Sequence, residues 1–331
     1  MSIYKSFAIT VTGGSHIKQG KGCQDASFCS EKDIVSIAAV SDGHGDGNCF
    51  RSNKGAKLAV ACAARGIEEF VKVYEPKFSS GLFKKKDIPA KSEFDKAIRD
   101  LVKHIIASWQ ARVEEDYTAN PFSSDELALA DEKYKKRYEA GNSLTKVYGA
   151  TLIAAAITEH YWFGIHIGDG RLTALYSDGS CDQPVLWDEK CYLNVTTSIC
   201  DDDSFEQARC YSSFHDKNKS PVAIFLCTDG IDDNYPVNEN EKYLFKIYRT
   251  IALTFAEDGF ESTFYQLKDL ADSFATKGKG DDTSIAGFID MAAVKKVVPI
   301  WQEQIKKNGN PENYGDFVAD KQKKTSIDKE I

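Results

Sequence analysis

Four aspartates of this 331-residue chain stand beside glycine at the edges of apolar runs. They are Asp42 in Asp42-Gly43-His44-Gly45, Asp169 in Gly168-Asp169-Gly170-Arg171, Asp229 in Thr228-Asp229-Gly230, and Asp281 after Gly280. An apolar strand holds its end residue rigidly, and a glycine turn lets a carboxylate and backbone carbonyls face outward. Several such ends converging would make an oxygen-lined pocket. Oxygen ligands suit hard dications such as Mg²⁺ or Mn²⁺. Two such ions about 3.5–4 Å apart can activate a bridging water and clamp a phosphoryl group for in-line attack. A single Asp-Gly pair is only a common turn dipeptide, so the recurrence carries the inference.

The elements that must position these residues follow from periodicity. Ser6 to Thr12 and Ile34 to Val40 read as strands, the second running into the Asp42 turn. Apolar residues from Ala56 to Tyr74, and again from Phe94 to Val113, recur at helical spacing. Between these helices, Lys77 to Pro89 reads as a loop with Lys84-Lys85-Lys86 at its centre. Residues 117–145 are polar and read as an insertion or connector. A β block follows: Gly149 to Ile157, Tyr161 to Ile167 and Leu172 to Tyr176 form an antiparallel meander. Residues 181–219 read as irregular, with an acidic run at Asp201-Asp202-Asp203 that suits a solvated loop. Val222 to Cys227 is a strand, two helices follow over about 239–257 and 259–275, and Thr283 to Ile289 is the last strand. A helix from Met291 and a polar tail, Lys321 to Ile331, close the chain. Long helices with hairpin-linked strands predict an α+β fold, two packed antiparallel sheets flanked by helices.

Composition narrows the function classes. Acidic residues outnumber basic ones by 50 to 42, for a formal charge of −8, which disfavours a nucleic-acid partner. No apolar run approaches the roughly 20 residues of a membrane span, and the N-terminus lacks a signal peptide. A cytoplasmic protein without membrane attachment is expected. Nine cysteines with no C-x-x-C pair predict free thiols rather than a disulfide framework or zinc knuckle. His104 and His166 are read as core residues and His160 as a turn residue.

In order and content the motifs resemble the metal-dependent protein phosphatase family, protein phosphatase 2C. The matching pieces are Gln24-Asp25, Asp42-Gly43-His44-Gly45, Gly149-Ala150-Thr151, Gly168-Asp169-Gly170-Arg171, Thr228-Asp229-Gly230-Ile231-Asp232-Asp233 and Asp281-Asp282-Thr283-Ser284. The resemblance implies a four-layer αββα sandwich and hydrolysis of phosphoserine and phosphothreonine with two or three Mg²⁺ or Mn²⁺ ions. By position, it implies that Asp42 bridges two metals, the Gly43 carbonyl binds the second, and Asp229 and Asp281 complete the first site. Asp25 matches an acidic residue beside or bound to the second metal, and Asp169 and Asp233 match holders of a third. His44 matches the general acid that protonates the leaving oxygen. The implied catalytic domain spans 1–290, with a flap over 181–219 and a C-terminal helix and tail over 291–331. Implied partners are phosphoproteins and an opposing Ser/Thr kinase.

The pattern is broken at named places. Gln24 stands where many members have Glu, and Gly170 where Ser is usual. Gly20 stands where the family has its phosphate-gripping Arg, leaving Lys18, Lys21 or His16 to supply positive charge without the bidentate fork of Arg. Arg171 reads as structural. These departures suggest a divergent bacterial-type member. They also keep open a non-catalytic phosphoprotein-binding module of the same fold, and a two-metal hydrolase acting on another phosphoester.

Overall fold

The computed structural model describes residues 3–32, 34–79, 89–186, 188–191, 195–216, 218–236 and 239–307. The Lys84-Lys85-Lys86 loop and the Lys321 to Ile331 tail lie outside the described residues. Among the described residues ten strands are present: β1 (Lys5–Val11), β2 (Ala26–Lys32), β3 (Val35–Ser41), β4 (Leu152–Ile157), β5 (Tyr161–Ile167), β6 (Arg171–Tyr176), β7 (Cys181–Asp182), β8 (Arg209–Phe214), β9 (Pro221–Cys227) and β10 (Thr283–Ile289). They form two five-stranded sheets, ordered β1-β10-β9-β6-β7 and β2-β3-β4-β5-β8, and every pairing is antiparallel.

The helices are α1 (Gly14–Lys18), α2 (Ser52–Tyr74), α3 (Pro76–Ser79), α4 (Lys91–Ala119), α5 (Ser124–Leu127), α6 (Glu132–Glu139), α7 (Leu144–Val147), α8 (Ser204–Gln207), α9 (Asp229–Asp232), α10 (Asn240–Asp258), α11 (Phe260–Lys277) and α12 (Met291–Lys307). Helices α2 and α4 cover one sheet; α10, α11 and α12 cover the other. The result is the expected αββα sandwich.

Alternation along the strands builds three apolar layers. In β4, Leu152, Ala154 and Ala156 pack toward α2 and α4, whereas Ile153, Ala155 and Ile157 face the other sheet. In β9, Phe225 and Cys227 pack toward the α10–α12 layer while Ile224 and Leu226 fill the space between sheets. Because both faces are covered, these strands read as continuous apolar runs rather than alternating ones. Trp301 of α12 is fully buried, and its indole Nε1 donates to the Gly179 carbonyl at 3.0 Å.

Residues 209–214, read from sequence as irregular, form β8 at the sheet edge. Its half-buried Arg209-Cys210-Tyr211-Ser212-Ser213-Phe214 has no strong apolar run to signal a strand. His104 also differs from its reading: it is largely exposed on α4, 3.6 Å from Glu69. The polar stretch 117–145 carries α5, α6 and the first half of α7, tied down by the buried Arg51. Arg51 Nε and Nη2 fork onto Glu126 at 2.7 and 2.9 Å, and Nη1 donates to the Asn120 carbonyl and the Tyr148 hydroxyl, both at 2.8 Å. Among the described residues no helix is long and apolar enough to cross a membrane, and all nine cysteines are free thiols.

Candidate metal centre

Antiparallel pairing explains why carboxylates from distant motifs meet. The C-terminal ends of β3, β5 and β9 lie beside the N-terminal starts of β2, β4, β6 and β10: Ala26 pairs with Ser41, Leu152 with Ile167, Arg171 and Ile285 with Cys227. One end of the sandwich therefore carries Asp25, Asp42, Asp169, Asp229 and Asp281, each just outside a strand.

The Asp42 turn is zipped onto Gly149-Ala150-Thr151. Asp42 N donates to Thr151 Oγ1 at 2.9 Å, Thr151 N donates to the Asp42 carbonyl at 2.8 Å, and His44 N donates to the Gly149 carbonyl at 3.1 Å. Gly43 must be glycine here, since a Cβ would lie 2.6 Å from the Gln24 carbonyl oxygen and 2.8 Å from that of Ser52. Thr228 Oγ1 donates to Asp25 Oδ2 at 2.8 Å and accepts from Ser284 N at 2.9 Å, joining β9, β10 and the entry to β2.

Asp282 has a positioning part that its sequence position alone did not reveal. Its buried carboxylate accepts from Gly13 N and Gln24 N, both at 2.6 Å, and lies 3.0 Å from His16 Nδ1. His16 thus turns inward onto Asp282 and the neighbouring Asp281, while Lys18 and Lys21 stay exposed. Gly20 has φ +68° with open space around it, so a side chain there would have to adopt a left-handed backbone. Gln24 Nε2 donates to Ser52 Oγ at 3.1 Å.

Burial and mutual repulsion raise the pKa values of Asp25, Asp42, Asp169 and Asp229. Burial is the largest cause for each group. Asp25 is pushed up to about 7, with the Asp282 charge adding to the effect and the Thr228 hydrogen bond opposing it. Asp42 rises well above the carboxylate range, with Asp229, Asp25 and Asp169 as repelling neighbours. Asp229 rises likewise beside Asp169, Asp281 and Asp232. Arg171 offsets part of this charge, with Nη2 2.8 Å from Asp232 Oδ2. Asp233 lies farther out, bonded to Lys279 Nζ at 2.8 Å.

The donor set suits a hard dication. Buried oxygens Gln24 Oε1, Asp25 Oδ1 and Asp229 Oδ1 have no hydrogen-bond partner, a costly condition that coordination would relieve. Among the described residues no three His, Cys, Asp or Glu side chains are gathered tightly enough to grip an ion as they stand. The raised pKa values of these neighbouring carboxyls favour their protonated forms, and a dication binding there would displace those protons.

His44 lies at the other side of the turn. Burial pushes its pKa down, Asp201 and Asp46 pull it up, and Lys146 pushes it down. A cavity of about 440 Å³ opens on this side, bounded by Asp46, Cys49, Arg137, Tyr138, Lys146 and Cys200 among others. Within the acidic run, Asp201 is structural, accepting from Ser198 N at 2.9 Å and from Lys146 Nζ at 3.0 Å.

An αββα sandwich with an oxygen-only carboxylate cluster at one end of both sheets has the frame of a metal-dependent phosphatase. The chain belongs to the protein phosphatase 2C family, whose model matches residues 12–272. That match ends before Asp281 and β10, which join the cluster on geometry. Solved structures agree in fold. PppA, described as a key regulatory component of T6SS in Pseudomonas aeruginosa, is 16% identical, with 87% of this chain and 98% of that chain covered and a TM-score of 0.51. The serine/threonine phosphatase Stp1 from Staphylococcus aureus is 14% identical over 87% and 95%, with a TM-score of 0.50. A C. elegans sex determining protein is 14% identical over 89% and 68%, with a TM-score of 0.54. No curated protein matches the chain.

Proposed function

We propose that the protein is a phosphoserine/phosphothreonine phosphatase that uses Mg²⁺ or Mn²⁺ and acts on phosphoproteins in the cytoplasm, opposite a Ser/Thr kinase. The observation that carries this reading is the convergence of the buried Asp25 with the part-buried Asp42, Asp169 and Asp229, with unpartnered oxygens on Asp25 and Asp229. Asp42, the Gly43 carbonyl, Asp229 and Asp281 are the ligands proposed for two ions, with Asp25 beside the second. Bound there, the metal supplies an activated water and positive charge against the phosphoryl oxygens.

The chain's own groups do the rest. Thr151 and Gly149 fix the Asp42 turn through backbone hydrogen bonds. Asp282 braces the Gln24-Asp25 segment against the start of β10. His44 is the proposed donor to the departing serine or threonine oxygen, a role that requires its protonated form. Lys18 and Lys21 are the exposed cations proposed to meet the phosphate, while His16 acts by steadying Asp282. The cavity beside His44 offers room for residues flanking the phosphorylated side chain.

Hydrolysis of p-nitrophenyl phosphate with added Mn²⁺ tests the reading. Activity should vanish with EDTA and in Asp42→Ala and Asp281→Ala. Full activity in Asp281→Ala, or activity without metal, would sink it. A wild type that binds Mn²⁺ and phosphopeptides yet hydrolyses none would instead mark a binding module.

A further inference from the structure

The loop entering β10 carries Lys279 between two glycines and is clamped from both sides. Lys279 N donates to Asn234 Oδ1 at 3.1 Å, and Asn234 Nδ2 donates to the Gly230 carbonyl at 2.8 Å, tying the loop to α9. Gly278 lies so close to the Asn234 side chain that a Cβ would collide with it. On the other side the Gly280 carbonyl accepts from Ser15 N at 2.9 Å and Ser15 Oγ at 2.5 Å, with Gly280 at φ +82°. A backbone held at both ends aims the side chain between them.

That side chain ends at the rim of the carboxylate cluster. Lys279 Nζ lies 2.8 Å from Asp233 Oδ2. The Asp233 charge also reaches Asp169, which neighbours Asp229 and Asp42 within the cluster. The ammonium is a compact point charge with three donors. A dication shared by Asp233 and Asp169 would have to sit against it, so the two cations compete for the same oxygens. The sequence shows the residue but not its destination.

We propose that the Lys279 ammonium takes the place of a third divalent ion at Asp233 and Asp169, so that this chain loads two metal ions rather than three. The inference rests on the two-metal reading above and concerns only the occupancy of Asp233 and Asp169.

Calorimetric titration of Mn²⁺ into metal-stripped protein, with elemental analysis of the loaded protein, reads the stoichiometry directly. Wild type should saturate at two ions per chain. Lys279→Met should take up a third, and Lys279→Arg, which keeps the charge, should stay at two. The Lys279 side chain is 59% exposed, so neither change threatens the fold. In Lys279→Met the extra ion should disappear when Asp233→Asn is added. Three ions in wild type, two in Lys279→Met, or a third ion that survives Asp233→Asn would each overturn the assignment. No saturable Mn²⁺ binding in wild type would overturn the metal centre itself, and this inference with it.

Discussion

The protons held by the carboxylate cluster should make the metal-free protein lose stability as pH rises. Asp25 is the clearest case, buried and raised from 3.8 to about 7. Folding takes up a proton on this group between those two values. The stabilisation is therefore complete below pH 3.8 and is lost as pH climbs through about 7. One pKa unit corresponds to about 1.4 kcal/mol, so the full loss is about 4 kcal/mol, of which about 3 kcal/mol falls between pH 5 and pH 8. Asparagine at this position cannot ionise. Its amide oxygen still accepts from Thr228 Oγ1, and its nitrogen can donate toward Asp42. Urea denaturation in EDTA at pH 5 and pH 8 should show the wild type losing stability across that interval. Asp25→Asn should flatten the decline by about 3 kcal/mol and be the more stable protein at pH 8. The same variant should bind Mn²⁺ more weakly, because a neutral amide replaces a carboxylate. An unchanged pH slope in Asp25→Asn, or a variant less stable than wild type at pH 8 without metal, would refute the reasoning.

Other outcomes follow from single contacts. His44→Ala should lower turnover of a phosphoserine peptide by about 10²–10⁴-fold and that of p-nitrophenyl phosphate much less, since nitrophenolate leaves without a proton. Burial lowers the His44 pKa, so its donating form fades as pH rises through a value below 6.5, and the His44-dependent part of kcat should be greatest on the acid side. Gly43→Ala should cost about 1–3 kcal/mol in thermal denaturation and weaken Mn²⁺ binding, because its Cβ meets two backbone carbonyls that cannot move independently. Arg51→Met removes the donor to the Asn120 carbonyl, Tyr148 and Glu126 and should cost about 1–3 kcal/mol, with limited proteolysis shifting into residues 120–140.

Much of the site was legible as residues, because ligand chemistry depends on residue type. Asp42, Asp169, Asp229 and Asp281 each stand beside glycine at the edge of an apolar run, and a linear chain records that directly. The continuous apolar runs of β4, β5 and β9 likewise announced strands covered on both faces, and the helical periodicity of 56–74 and 94–113 announced α2 and α4. The edge strand β8 escaped because a half-buried strand carries little apolar signal. What the chain could not record is which ends meet. Asp281 precedes a strand while Asp42 and Asp229 follow one, and only antiparallel pairing puts those starts and ends at the same edge. Packing also divided similar residues into different tasks. His16 turns inward onto Asp282 while Lys18 and Lys21 face solvent, and Lys279 reaches Asp233 because Asn234 and Ser15 clamp its loop. Residue type is a property of position in the chain, whereas charge pairing and burial depend on distances that the pairing of the two sheets sets.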